Sequence, residues 1–347
     1  MNQDQGTNNS RWERLGLPGL LILTLIWSVG LFSLGAWLWQ KHSTPEATTV
    51  SFSQQPTFQA IENVPVGTFR YGGSPIWAPI RLLVDTTIQS ERREFQLQYV
   101  ASGQNYDNSD TAIQMLLAGR IHVAQSARPV QEQEYRLAEQ KGFQLLQIPV
   151  AIDGLTVAVH PELPIQGLSI KQLRAIYSGQ INNWQQVGGP DLKISLFSQP
   201  LNTNSTVNLL TKSVLRPQTF ASKTNFVPTT TRALQEVAQN PGGIYYASIA
   251  EIMAQCTVKP LPIGHQADQL IQPYQDPLIS PEQCPDQRNA VNTVGFQAGQ
   301  YPLTRYLYVI IKKNNQTAEQ VGQAYAQFLL TTQGQALISK AGIVPLR

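Results

Sequence analysis

Beyond residue 65 the chain repeats one pattern: a short β-rich apolar run, a polar turn, then apolar residues at helical spacing. TFRY (68–71) predicts a strand and GGSP a turn, after which Ile76, Ile80, Leu83, Val84 and Ile88 share one helix face. Ser74 is placed as the N-cap of that helix and Pro75 as its first residue. FQLQYVA predicts the next strand, and NSDTAIQMLLAG (108–119) a helix with Ile113, Leu116 and Leu117 inward. Thr111 and Gln114 fit a capping box there, and Gly119 ends the helix. Strand IHVA, polar QSAR and a helix from Pro129 to Lys141 follow.

FQLLQIPVAIDGLTVAVHP is too long for an ordinary strand and carries no tight-turn signal, so it is read as the passage between two lobes. LSIKQLRAIYSGQINNW predicts a helix opened by a Ser169/Gln172 capping box. KISLF and GGIYYAS read as strands on either side of helical VNLLTKSVL. YPLTRYLYVIIKK is the last clear strand, and helical TAEQVGQAYAQFLL and TQGQALISKAG complete the chain. Strands alternating with helices predict an α/β protein with mainly parallel sheets.

The first residues break this pattern. Leu15 to Trp39 carries no charge, and about 20 apolar residues suffice to cross a bilayer as a helix. Residues 1–14 are therefore expected in the cytoplasm, 15–39 as a transmembrane helix and 40–65 as a polar, Pro-containing linker. Arg11 and Arg14 before the span, against Lys41 after it, place the remaining chain outside the cytoplasm. A cleaved signal peptide is the competing reading, against which stand the length of the run and the lack of an A-x-A site.

Composition narrows the function. With 42% hydrophobic and 14% charged residues the chain folds, and a formal charge of +3 without a dense basic stripe excludes nucleic acid as partner. His42, His122, His160 and His265 are scattered, and GxSxG, HExxH, P-loop and GxGxxG motifs are missing, so neither catalysis nor a cofactor is expected. Cys256 and Cys284 lie in the exported part, where a disulfide is expected; two free thiols or a metal site are the competing readings.

In α/β sheets ligands bind beyond the carboxyl ends of strands, where helix N-termini offer free N–H groups. Ser74, Ser109, Thr111, Ser126, Ser205 and Thr206 occupy such turns, and their hydroxyls can donate to an oxyanion; the competing role of each is a plain helix cap.

At this point the residues resemble a family. DGLTVAVHPELPIQGLSIKQLRAIYSGQINNWQQVGGPDLKIS, then GGIYYAS, YPLTRYLYVIIKK and TTQGQALISKAGIVPL, resemble the phosphate-binding proteins of ABC importers, in order through about 66–347. The resemblance implies a two-lobed periplasmic-binding-protein-like fold with a hinge, lobe one formed by 66–152 plus 247–347 and lobe two by 153–246. It implies a monomer that captures phosphate or a related oxyanion in the interlobe cleft and delivers it to an ABC permease in the membrane. By position, Gly73 and Ser74 match the first anion-binding turn, Ser109-Asp110-Thr111 a Ser-Gly-Thr turn, Ser126 and Arg128 the turn after the third strand, and Ser205-Thr206 the turn of the second lobe.

Three positions depart from the family pattern. The family's arginine falls at Gln199, its acidic residue at Ala127, and a glycine at Asp110. Arg128 is then the full positive charge among the matched turns. Asp110 or Asp153 could accept the proton of hydrogen phosphate, which sulfate lacks at neutral pH. Loss of the arginine also supports another reading, a drifted binding-protein-like module for sensing or assembly with a different ligand or none.

Overall fold

The computed structural model describes residues 55–103, 108–201 and 205–347. The predicted membrane span and most of the linker lie outside the described residues, among which no helix is long and apolar enough to cross a membrane.

A single ten-stranded sheet carries the architecture. Its strands in chain order are β1 (Gly67–Gly73), β2 (Phe95–Tyr99), β3 (Val123–Ser126), β4 (Gln144–Val159), β5 (Ser195–Ser198), β6 (Asn225–Phe226), β7 (Gly243–Ser248), β8 (Lys259–Leu261), β9 (Thr304–Lys313) and β10 (Val344–Pro345). Their order across the sheet is β2-β1-β3-β9-β4-β7-β5-β6, with β8 and β10 also pairing to β4.

The sheet is mixed, which corrects the expectation of mainly parallel sheets. Parallel pairing holds at the two flanks, β1 with β2 and β3, and β5 with β6 and β7. Every pair that includes β4 or β9 is antiparallel. The reason is topological: helical crossovers make parallel neighbours, but β9 arrives late in the chain and inserts between β3 and β4, running opposite to both. Strand-helix alternation reports crossovers and is blind to such an insertion.

The passage segment is one 16-residue strand that serves two cores. Near its start Leu145 packs with Ala112, Ile113, Leu116, Ala124 and Ile310. Farther on, Leu155 and Val157 join a second cluster with Leu173, Ile176, Trp184 and Leu196. Ile249, Ile252, Leu261, Phe296 and Tyr301 also pack into this second cluster. A strand covered on both faces needs no polar alternation, so its sequence reads as a nearly unbroken apolar run.

Two helix starts differ from expectation. Segment 75–91 opens as a 3-10 turn, Pro75–Trp77, and contains a π-turn, Arg81–Asp85. The buried face is Trp77, Ile80, Val84 and Ile88, while Ile76 and Leu83 are only half-buried. The extra residue of the π-turn rotates the helix and brings Asp85 into the core. The next helix, Ser109–Leu117, is capped by Asn108 and Thr111 rather than by Thr111 and Gln114. Asn108 Oδ1 accepts from the Thr111 amide at 2.8 Å and Thr111 Oγ1 from the Asn108 amide at 3.0 Å, so the helix starts three residues earlier. The Ser169/Gln172 box is present as expected, with the Ser169 amide donating to Gln172 Oε1 at 2.8 Å.

Candidate functional site

β1 ends at Gly73, which lies so close to β3 that a Cβ there would stand 2.2 Å from the Gln125 carbonyl oxygen. The glycine is therefore required by strand packing. Ser74 follows at the head of segment 75–91, fully buried, and its hydroxyl makes no capping bond. Instead Ser74 Oγ lies 3.2 Å from Ser205 Oγ, at the start of the short helix Ser205–Leu210. Turns far apart in the chain thus meet at two hydroxyls.

The turns after β2 and β3 are tied to each other. Ser109 Oγ accepts from the Ala127 amide at 2.9 Å, which leaves the Ser109 hydroxyl proton to donate. Ser126 Oγ donates to the Arg128 carbonyl at 2.6 Å and accepts from its amide at 3.2 Å, so it serves its own turn. Thr111 donates to the Asn108 carbonyl at 3.0 Å and serves the helix cap.

Arg128 is not the free cation that the sequence implies. Its Nε donates to Asp110 Oδ1 at 2.6 Å, NH1 to Glu134 Oε2 at 2.9 Å and to the Pro129 carbonyl at 2.8 Å, and NH2 to Glu134 Oε1 at 2.6 Å. Burial alone would lower the pKa of this guanidinium, but Glu134 and Asp110 together outweigh it and the net direction is up. Two carboxylates against one cation leave no positive surplus. Asp110, about half exposed, is a partner of Arg128.

In the second lobe the amide of Gln199 is buried and donates to the Pro228 carbonyl at 3.2 Å. Beside it lies a group missed in the sequence. Arg305 of β9 is the register partner of Asp153 of β4, and its Nε donates to Asp153 Oδ2 at 2.9 Å. Arg305 NH2 donates to Thr206 Oγ1 at 2.8 Å, and Ser248 Oγ donates to the other Asp153 oxygen at 2.5 Å. Glu251, held by the Ser248 amide at 3.0 Å, has its pKa raised by burial.

A signal for Arg305 does exist in the sequence. Along β9 the residues of its parity, Arg305, Leu307 and Val309, are all buried, so an arginine occupies a core-facing place among aliphatic residues. A charge at such a place requires a partner, and the one available is Asp153, inside the equally apolar β4.

Two neighbouring cavities share Ser205. One of about 350 Å³ is lined by Ser74, Ile76, Gln199, Ser205, Thr206 and Glu251. The other, about 180 Å³, is lined by Ser109, Asp110, Arg128, Ser205 and Arg305 among others. Seven of the ten ligand residues expected from sequence therefore border this cleft, whereas Gly73, Thr111 and Ser126 line neither cavity. The arrangement combines hydroxyl donors, backbone amides and a buried guanidinium, a donor set suited to a small oxyanion.

Elsewhere, Cys256 and Cys284 form a disulfide with Cα atoms 5.7 Å apart. Among the described residues no cluster of His, Cys, Asp and Glu could hold a metal ion.

Comparison with known proteins gives consistent matches. The chain matches the PBP superfamily domain over residues 59–333. It is 27% identical to the phosphate-binding protein PstS of Pseudomonas aeruginosa over 252 residues, covering 69% of this chain and 72% of that protein. It is 25% identical to PstS of Staphylococcus aureus over 281 residues, covering 80% and 78%. Among solved structures, an ABC-type phosphate transport receptor from Vibrio cholerae superposes with a TM-score of 0.59 at 21% identity, covering 80% of this chain and 99% of that one. PstS from Borrelia burgdorferi gives 0.55 at 18% identity, covering 81% and 99%.

Proposed function

From the premise that the chain belongs to the PBP superfamily, we propose that it is a solute-binding protein that captures phosphate in its interlobe cleft and delivers it to an ABC importer. The observation that carries this reading is the convergence of Ser74, Ser109, Ser205 and Thr206, from turns far apart in the chain, on two adjoining cavities beside a buried guanidinium. The relatives named PstS are phosphate-binding proteins, which supports phosphate over other oxyanions. Residues 153–246 form the second lobe together with the segment holding Ile249, Leu261, Phe296 and Tyr301, which shares its core, and β4 is one of the connections between the lobes.

The apolar stretch 15–39 tethers the binding domain to the membrane outside the cytoplasm, where Cys256 and Cys284 oxidise. No chemistry is required of the site: anion capture needs donors and closure, and the protein acts as a binder.

Titration calorimetry on the full-length chain, stripped of bound anion by unfolding and refolding, tests the proposal with phosphate, arsenate, sulfate and molybdate. Phosphate is expected to bind in preference to sulfate. Silence with all four would leave the drifted-module reading, which the neutralisation of Arg128 by Asp110 and Glu134 favours.

A further inference from the structure

We propose that Arg305, on β9 beside the strand β4 that serves both cores, is the cation that receives the bound oxyanion, in place of the family arginine whose position Gln199 occupies. The inference deepens the reading of the cleft as an anion site and rests on it.

Arg305 is held from one side only. A guanidinium carries five N–H donors. Asp153 Oδ2 meets the Nε side at 2.9 Å from both Nε and NH2, and Thr206 Oγ1 meets NH2 at 2.8 Å. NH1 is buried and, among the described residues, has no hydrogen-bond partner. The side chain is 6% exposed and that of Asp153 is 0% exposed, so solvent does not satisfy the remaining donors. Leaving a charged donor unpaired in the interior is unfavourable, and a bound acceptor removes that cost.

The surroundings identify the ligand's chemistry. Arg305 lines the cavity of about 180 Å³ together with Ser109, Ala127, Arg128 and Ser205, and with Lys212 at its exposed margin. Ser109 already accepts a bond from Ala127 and keeps its hydroxyl proton to donate. Arg128, in contrast, is committed to Asp110 and Glu134 on all three nitrogens. Arg305 is therefore the buried cation with donors to spare, and an oxyanion accepting from NH1 completes it. Asp153 and Ser248 act as positioning residues: Ser248 holds one carboxylate oxygen and the other fixes the guanidinium plane. The register partner of Arg305, Asp153, lies on β4 between Leu145 of the first core and Leu155 of the second, so a cation here sits where the two cores adjoin.

The test compares binding of inorganic phosphate and sulfate by calorimetry on the full-length protein. Arg305→Lys keeps a charge but cannot face Asp153 and the anion together, and at least tenfold weaker binding is expected. Arg305→Met combined with Asp153→Leu removes the buried pair without leaving an orphan charge, which buried pairs tolerate. This double variant should unfold cooperatively near the wild-type urea midpoint and lose at least a hundredfold in affinity. A folded double variant that binds phosphate within threefold of wild type overturns the assignment while leaving phosphate capture intact. If the wild type takes sulfate but not phosphate and the Arg305 variants lose it, the assignment stands and the phosphate reading falls. A wild type that binds neither anion overturns both.

Discussion

The side-chain oxygens of Ser74 and Ser205, 131 positions apart in the chain, lie 3.2 Å from each other across the cleft. One belongs to the turn after β1 and the other to the first residue of the helix Ser205–Leu210, so the contact joins turns that border the same cleft. Ser205→Phe would place a ring between the two turns in place of the hydroxyl contact. Small-angle scattering with saturating phosphate is expected to show compaction for wild type and none for the variant. Equal compaction in both would mean that closure does not run through this contact.

The ion pairs of Arg128 with Asp110 and Glu134 are expected to contribute to the stability of the fold. Its three ion-paired nitrogens hold Asp110 and Glu134, with side chains of Arg128 and Glu134 only 19% and 13% exposed. Arg128→Ala is expected to lower unfolding stability by about 2 kcal/mol, the scale of charge-assisted bonds in a partly buried place. Urea denaturation measures this, and an unchanged midpoint would mean that the ion pairs contribute no net stability.

Stability should also fall with rising pH through the titration of Asp85. Burial raises its pKa to about 7, against the downward pull of the Tyr325 hydroxyl, which donates to Asp85 Oδ1 at 2.8 Å. The unfolded carboxyl loses its proton near 3.8 while the folded one keeps it to about 7, so the unfolded state binds fewer protons in that window. Unfolding free energy therefore declines from about pH 4 to about pH 7 and levels off above, and this group accounts for roughly 2 to 4 kcal/mol of the decline. Asp85→Asn removes the titration and should flatten that slope in urea unfolding measured across the window. An unaltered slope would show that Asp85 is ionised in the fold.

The Cys256–Cys284 bridge closes a loop of sequence separation 28. In the chain-entropy picture such a loop contributes about 3 to 4 kcal/mol. Cys256→Ser combined with Cys284→Ser should lower unfolding stability by that amount without changing phosphate affinity, since neither cysteine lines the cleft. A loss of affinity at full folding would tie this region to the site.

Local features were legible in the sequence because local physics makes them. Period-2 and helical spacings marked β1, β3, β7 and β9, the Ser169/Gln172 cap follows from side chains that bond their own helix, and the polar turns at Ser74, Ser109 and Ser205 border the cleft cavities. What the sequence left open was which distant groups meet. The insertion of β9 between β3 and β4 turned an expected parallel sheet into a mixed one and set Arg305 against Asp153, 152 positions earlier in the chain. Arg128 stood in the expected turn, yet Asp110 and Glu134 fold onto it and take its charge. Spacing along a chain determines helices, strands and caps, whose partners lie within a few residues. Charge balance in a cleft depends on side chains brought together from separate strands, and only the tertiary structure decides which cation is paired and which keeps donors for a ligand.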